Sequence, residues 1–189
     1  MEVIRELFRK NGSSDYIGEN ITQIQHMAQT AKLAKDAKSD KNIIVACFLH
    51  DIGHLIDKDN MFNINIEYIM KNDINYGVKN HELVGAKLCK ILDLPELVCD
   101  LVANHISAKR YLVSIDQDYK KTLSEASLIT LEAQGGTMTI DEIIDYERNP
   151  NYKLYVQMRL WDDAAKNIKT FVSDNEIEYF YKCIDNIIN

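Results

Sequence analysis

Apolar residues recur along most of this chain at intervals of three and four positions, which is the spacing of an amphipathic helix. In residues 22–38 the repeat consists of Ile24, Met27, Ala31 and Ala34. The same spacing predicts helices over residues 2–10, 42–52, 80–92, 95–109, 117–133, about 151–168 and 174–188. No stretch alternates apolar and polar residues for long enough to require a strand. The pattern therefore predicts an all-α fold.

Turn-forming and capping residues separate the predicted helices. Thr139 and Ser173 are each followed three positions later by a glutamate, which is the capping box that opens a helix. Residues 55–80 show no regular pattern. We expect a loop in that region, with a short helix near residues 66–70.

The composition fits one helical domain and narrows the choice of partners. The chain has 189 residues, of which 46% are hydrophobic, so it can bury a sizeable core. A net charge of −7 disfavours binding to nucleic acid or to an anionic membrane. No apolar stretch approaches the ~20 residues of a membrane span, and the charged first ten residues do not resemble a signal peptide. We expect a cytoplasmic protein with reduced cysteines, and we see no sign of a protein partner.

The adjacent pair His50-Asp51, at the end of an apolar run, is the most suggestive chemical feature of the sequence. All five histidines lie on or beside predicted apolar helix faces. The candidate metal ligands, in chain order, are His26, His50, Asp51, His81, His105 and Asp162. Four imidazoles and two carboxylates on separate helices can hold two metal ions with one carboxylate between them. Such donors suit iron, manganese or zinc, although any single histidine of this kind is more often a hydrogen-bonded core residue.

Polar side chains at helical spacing accompany these candidates. Ser127, Thr130 and Gln134 fall on one helix face, while Lys109 and Arg159 lie one turn from a candidate ligand. Together these groups would suit an anionic, oxygen-rich ligand such as a phosphate or a phosphonate. The alternative is that the hydroxyls bond to their own helix and that the lysine lies on a solvated face.

The order His26, His50-Asp51 and Asp162 resembles the His…His-Asp…Asp pattern of the HD-domain superfamily. The blocks at 108–112 (Ala-Lys-Arg-Tyr-Leu) and 134–136 (Gln-Gly-Gly) are similar to those of its mixed-valence di-iron oxygenases, of which inositol oxygenase is a more distant relative. The resemblance extends from about residue 15 to 166. It implies a single HD-domain helical bundle over residues 1–189. Within it we expect a lid loop at about 13–20, a metal-binding core at about 22–166 and a C-terminal helix at about 174–188.

The resemblance also implies a reaction and a role for each site residue. The branch of the family that this chain resembles uses two iron ions, in the mixed Fe²⁺/Fe³⁺ state, and O2 to cleave the C–P bond of 2-amino-1-hydroxyethylphosphonate, giving glycine and phosphate. His26, His50, Asp51 and Asp162 would hold one iron, and Asp51 would bridge to a second iron held by His81 and His105. The implied substrate-binding residues are Tyr16, Glu19, His54, Lys109, Ser127, Thr130, Gln134 and Arg159. Tyr16 would also act as a lid and transient iron ligand, and Glu19 would bind the amino group. No catalytic residue beyond the metal ligands is implied.

Three alternatives stay open at this stage. A related 1-hydroxyphosphonate, such as the trimethylammonio analogue, would use the same ligands, and a long 55–80 connection leaves the exact substrate undecided; Tyr16 and Glu19 favour the primary amine. A metal-dependent phosphohydrolase of the HD type would need only the four-ligand set, so His81 and His105 would be surplus. A non-catalytic signalling module would typically lack some of the ligands.

Overall fold

Helices account for most of the computed structural model, which describes residues 2–16 and 20–188. In the described part of the chain the α-helices are α1 Glu2–Asn11, α2 Gln23–Asp36, α3 Lys41–Leu49, α4 His81–Ile91, α5 Glu96–Ile115, α6 Gln117–Thr122, α7 Glu125–Ala133, α8 Ile140–Arg148, α9 Tyr152–Ala164 and α10 Asp174–Ile188. A 3₁₀ helix, Ile52–Leu55, follows α3. The strands β1 Tyr68–Lys71 and β2 Ile74–Val78 form an antiparallel hairpin. The predicted all-α bundle is confirmed, with this small sheet as an addition.

The centre of the bundle is α3, which is buried on every side from Ile44 to Leu49. A helix that is apolar all round needs neighbours on all faces. Here α2 and α5 pack against it, and α10 covers it through Phe180, whose ring lies 5.3 Å from that of Phe48. α5 also packs against α4 and α9, and α4 packs against the 3₁₀ helix that follows α3.

Capping residues fix several helix ends. The Thr139 hydroxyl accepts from the Glu142 N–H at 3.2 Å, and the Glu142 carboxylate accepts from the Thr139 N–H at 2.8 Å, so this capping box is confirmed. Ser173 accepts from the Glu176 N–H at 3.4 Å, which is the first half of the second predicted box. The single helix predicted over 117–133 is wrong, because the Ser124 side chain accepts from a backbone N–H and starts α7 as a separate helix.

The helix predicted near residues 66–70 is also wrong, and so is the expectation that no strand is needed. Asn72 and Asp73 both have positive φ, at 50° and 63°. Two such residues between short strands form the turn whose twist suits a hairpin, and Asn and Asp tolerate this conformation best after glycine. The hairpin is joined to the bundle where the Val78 N–H donates to the His54 ring at 3.0 Å.

No described helix is both long enough and apolar enough to cross a membrane.

Candidate metal centre

The six candidate ligands come together at the end of α3, and all are buried. His26 lies on α2, His105 on α5 and Asp162 on α9. His50 and Asp51 end α3, and His81 is the first residue of α4. Five helices thus each contribute to one buried polar site in an apolar bundle.

His26, His50 and Asp162 form the first of two clusters. The Nε2 atom of His26 lies 3.1 Å from Nε2 of His50 and 3.1 Å from Oδ1 of Asp162. Nε2 of His50 lies 3.6 Å from the same carboxylate oxygen. Their potential ligand atoms all lie within 4.8 Å of one another, which is close enough to share one ion.

His81 and His105 form the second cluster, and Asp51 lies between the two. The Nε2 atoms of His81 and His105 are 3.1 Å apart. Oδ1 of Asp51 faces this pair at 3.2 and 3.5 Å. Its other oxygen, Oδ2, faces His26 at 3.5 Å and His50 at 3.3 Å. One carboxylate therefore presents a different oxygen to each cluster.

Backbone hydrogen bonds orient three of the imidazoles. The Nδ1–H groups of His26, His50 and His105 donate to the carbonyl oxygens of Ala165, Cys47 and Val102, at 2.9, 2.8 and 2.8 Å. With the hydrogen on Nδ1, the neutral ring directs its Nε2 lone pair into the site. Two lone pairs 3.1 Å apart repel each other unless a proton or a metal ion lies between them.

The electrostatics of the site favour a cation. Burial opposes a charge on His50, but Asp51 and Asp162 outweigh it and raise the pKa of His50 to about 10. For His26, burial again lowers the pKa, while hydrogen bonds to Asp162 and Asp51 raise it overall. The pKa of Asp51 lies well below its usual value despite burial, chiefly because of His50. The carboxylates that draw a proton onto these rings would equally stabilise a metal ion.

Orphaned atoms in the site also fit a metal. Oδ2 of Asp162 accepts from Arg159 at 2.7 Å, whereas Oδ1 is buried without a hydrogen-bond donor among the described residues. That free oxygen is the one that faces His26. Nitrogen and carboxylate donors in this number suit iron, manganese or zinc better than calcium or magnesium. The residues present therefore fit a pair of transition-metal ions.

His54 differs from the other four histidines. Its Nδ1 accepts the Val78 N–H, so the neutral ring carries its hydrogen on Nε2 and offers a donor, not a lone pair. Burial, followed by the charge of His81, keeps the pKa of His54 well below its usual value. The ring stacks on His81 at 4.0 Å, and one of its nitrogens lies within 4.8 Å of ligand atoms of Asp51 and His81. His54 thus forms, with Asp51 and His81, a group that could hold a metal ion, and its predicted position beside the metal stays a prediction.

A cavity of about 50 Å³ opens beside the two clusters of candidate ligands. It is lined by four of the candidate ligands and by seven of the eight predicted substrate residues, namely Tyr16, His54, Lys109, Ser127, Thr130, Gln134 and Arg159. The eighth, Glu19, lies outside the described residues. His26 and His50 do not line the cavity. The predicted metal and substrate residues are thus brought together around one small space.

Two lysines reach this cavity. Lys109 is 98% buried and donates to the Thr130 hydroxyl at 3.3 Å, so the alternative of a solvated face is wrong for this residue. Burial, followed by the charge of Arg159, lowers the pKa of Lys109 to about 7. Lys166 donates to Ser127 at 3.4 Å. The Thr130 hydroxyl also donates to the Ser127 carbonyl oxygen of its own helix, which is the alternative given above for this hydroxyl.

Arg159 is buried and faces carboxylates of its own helix. It pairs with Asp162 and Asp163 and donates to the Tyr119 hydroxyl at 3.2 Å. Its bond to Asp162 turns the second carboxylate oxygen towards the metal cluster. In this structure Arg159 orients a candidate ligand while it also lines the cavity.

Tyr16 lies over the first cluster. Its ring stacks on His26 with centroids 4.0 Å apart, and the Lys166 ammonium lies 5.8 Å from the ring centre. Burial, followed by the charge of Asp51, raises the pKa of Tyr16, so the phenol is neutral at ordinary pH. The Tyr16 ring thus covers one face of the His26 ring.

Sequence reasoning gave no role to several residues that line the cavity. Ile69 and Tyr76 come from the hairpin, where a helix or loop was expected. Gln23, one turn before His26, also lines it. The helical spacing of Gln23 and His26 was the available signal, since residues three apart share a helix face.

Comparisons with known proteins show which family this chain is similar to. The sequence profile described as HD domain matches residues 24–135, a stretch that contains every candidate ligand except Asp162. The chain is 36% identical over 166 residues to [1-hydroxy-2-(trimethylamino)ethyl]phosphonate dioxygenase (glycine-betaine-forming) of Leisingera caerulea, covering 88% of this chain and 80% of that one. It is 39% identical over 162 residues to hydroxymethylphosphonate dioxygenase of Gimesia maris, covering 85% and 75%. An uncharacterised protein of Acanthamoeba polyphaga mimivirus is 35% identical over 193 residues, covering 99% and 84%.

Proposed function

Because this chain belongs to the HD-domain family and is similar to phosphonate dioxygenases along most of its length, we propose that it is an oxidoreductase of the di-iron HD-domain type. It would use O2 to cleave the C–P bond of a small 1-hydroxyphosphonate. The observation that carries this proposal is the position of Asp51, with one oxygen towards each histidine cluster. A carboxylate in that position is what a pair of bridged metal ions requires.

The substrate we propose is 2-amino-1-hydroxyethylphosphonate, with glycine and phosphate as products. Two relatives are named after hydroxyphosphonate substrates. One of these substrates carries a trimethylamino group, and the other has no second carbon. The trimethylammonio compound and hydroxymethylphosphonate are therefore the alternatives. The retained Tyr16 and Glu19 of the family motif favour the primary amine.

The residues that line the cavity would have different roles in binding. Lys109, Ser127 and Thr130 would hold the phosphonate oxygens, and Lys166 would add positive charge beside them. The His54 Nε2–H would donate to an oxygen of the substrate. His26, His50, Asp51 and Asp162 would hold one iron, and His81, His105 and Asp51 the other. Iron bound there would supply the oxygen activation that no side chain provides, while Tyr16 and the buried walls would exclude water.

A metal-dependent phosphohydrolase is the second candidate, because the four-ligand cluster alone could serve such an enzyme. Two observations count against it. His81 and His105, which a four-ligand site does not need, have their Nε2 atoms 3.1 Å apart, and Oδ1 of Asp51 lies 3.2 Å from His81. The cavity of about 50 Å³ is also small against the roughly 300–1,000 Å³ of pockets for larger ligands, which disfavours a nucleotide substrate.

The decisive experiment compares the iron-loaded protein with and without oxygen. With 2-amino-1-hydroxyethylphosphonate in air, we expect glycine and phosphate in equal amounts and one O2 consumed per phosphate, which balances all atoms. Without oxygen, phosphate release should stop. Phosphate release that continues unchanged under anaerobic conditions would contradict the oxygenase and favour hydrolysis. The same assay with the two alternative phosphonates decides between the substrates.

A further inference from the structure

Gln23 carries a buried acceptor atom that nothing in the described protein satisfies. The residue is 95% buried and lines the cavity. Its side-chain oxygen, Oε1, has no hydrogen-bond donor among the described residues. An amide oxygen left unpaired away from water is costly to the folded protein, so such an atom beside a ligand cavity points to a donor on the ligand.

The backbone holds Gln23 in a fixed place. It is the first residue of α2, and its own N–H donates to the Ser14 carbonyl at 3.0 Å. Immediately before Gln23, Thr22 pairs with Asp15 in an isolated antiparallel β-bridge. Gln23 is therefore held at the start of a helix, one turn before His26, where the residue lines the cavity.

The chemistry of the proposed substrate class decides what this oxygen can bind. A phosphonate dianion has only acceptor oxygens, and the cavity already offers it Lys109, Thr130 and Ser127. The hydroxyl on C1 belongs beside the metals, where the bond to be cleaved lies. The remaining donor is a substituent on C2. A primary ammonium offers N–H groups, a trimethylammonium group offers none, and hydroxymethylphosphonate has no C2.

We propose that Gln23 is a specificity-determining residue that accepts a hydrogen bond from a donor on C2 of the substrate. The inference rests on the proposed function and deepens it. The site selects 1-hydroxyphosphonates with a primary ammonium or a second hydroxyl on C2 over the trimethylammonio compound. Filling the cavity with a C2 group that cannot donate leaves Oε1 buried and unpaired, which penalises that substrate.

The test is anaerobic binding to the iron-loaded protein by titration calorimetry, which needs no turnover. The ligands are 2-amino-1-hydroxyethylphosphonate and hydroxymethylphosphonate. For Gln23→Leu we expect the Kd of the amino compound to rise roughly ten- to hundred-fold, the effect of losing a bond to a charged donor. The Kd of hydroxymethylphosphonate should stay within about two-fold. Gln23→Glu keeps an acceptor, so binding of the amino compound should be retained.

Gln25→Leu is the matched control. Gln25 lies on the same helix but bonds to the backbone of Val172 and does not line the cavity, so neither Kd should change. An equal loss for both ligands in Gln23→Leu and Gln23→Glu would show that the side chain serves the phosphonate and would overturn the inference. An unchanged Kd of the amino compound in Gln23→Leu would overturn it as well. If wild-type protein binds neither phosphonate, the proposed function itself fails.

Discussion

At the scale of single residues, the position of Asp51 is the reason to expect two metal ions in the site. Each of its oxygens lies 3.2 to 3.5 Å from two imidazole nitrogens. Without this carboxylate the two clusters would have no common anion, and their cations would repel each other across a buried space. Arg159 orients Asp162, but Asp162 belongs only to the first cluster, with His26 and His50.

Asp51→Asn should lower the iron content from about two ions per chain to at most one, because the amide has no charge to share between two cations. The measurement is iron per folded chain after anaerobic loading. Asp36→Asn is the control, since this exposed carboxylate on α2 pairs only with Lys32 in the described structure. A variant at Asp51 that still binds both ions would contradict the bridging role.

Lys109 should make stability depend on pH in the metal-free protein. Its pKa is about 7 when folded, because of burial and then Arg159, against roughly 10.4 when unfolded. Between these values the unfolded chain binds one proton more, so this residue makes the free energy of unfolding rise with pH. Relative to Lys109→Met, the wild type should gain about 1–3 kcal/mol between pH 7 and pH 9. Urea unfolding of both proteins at both pH values measures this.

Lys87→Met provides the comparison for that experiment. Lys87 is exposed on α4, and its removal should leave the pH dependence of unfolding as in the wild type. If the wild type and Lys109→Met keep the same stability difference at both pH values, Lys109 is fully ionised in the folded protein and the expectation is wrong.

At the scale of elements, the 3₁₀ helix crosses the start of α4 at unusually short range. A Cβ atom on Gly53 would lie 2.0 Å from the backbone oxygen of His81. On the facing helix, a Cβ on Gly85 would lie 3.1 Å from an Ile52 methyl group and 3.2 Å from the Gly53 nitrogen. Only glycine at position 53 lets the chain after Asp51 approach His81, and this crossing assembles the second cluster.

Gly53→Ala should therefore destabilise the protein by more than about 3 kcal/mol and reduce binding of the second metal ion, because the clash is with backbone. Gly85→Ala is the matched comparison and should cost less, about 1–2 kcal/mol, since its nearest neighbour is a side chain that can shift. Urea unfolding with metal analysis tests both. Equal, small effects would refute the view that this crossing is sterically limited.

At the scale of the whole molecule, the candidate metal site also connects the helices of the bundle. Ligands come from α2, the end of α3, α4, α5 and α9, which are far apart in sequence. In the metal-free protein the site concentrates buried carboxylates and imidazoles, which an apolar bundle tolerates poorly. Metal binding should thus contribute to stability as well as to chemistry.

Removal of the metal should lower the melting temperature. At a free metal concentration about a hundred times Kd, binding contributes roughly 2.7 kcal/mol, which corresponds to some 5–10 °C for a chain of this size. Thermal unfolding of iron-loaded and chelator-treated protein measures the shift. In His26→Ala, which lacks a buried ligand, the shift should shrink. An unchanged melting temperature after verified metal removal would show that the site does not hold the bundle together.

The sequence alone predicted most of the helices and the side chains that form the candidate site. Helix positions follow from local periodicity and capping, as at Thr139, and are therefore readable without a structure. The six candidate ligands could be named because imidazole and carboxylate side chains beside apolar helix faces are few. Their family pattern then ordered them into two sets.

The tertiary structure decided what depends on contacts between distant segments. The hairpin at 68–78, the two-sided position of Asp51, the burial of Lys109 and the unpaired oxygen of Gln23 all follow from such packing. Periodicity cannot show whether a polar side chain on a helix meets water, a partner or an enclosed cavity. That depends on which helix lies opposite, and long-range packing settles it only when the bundle closes.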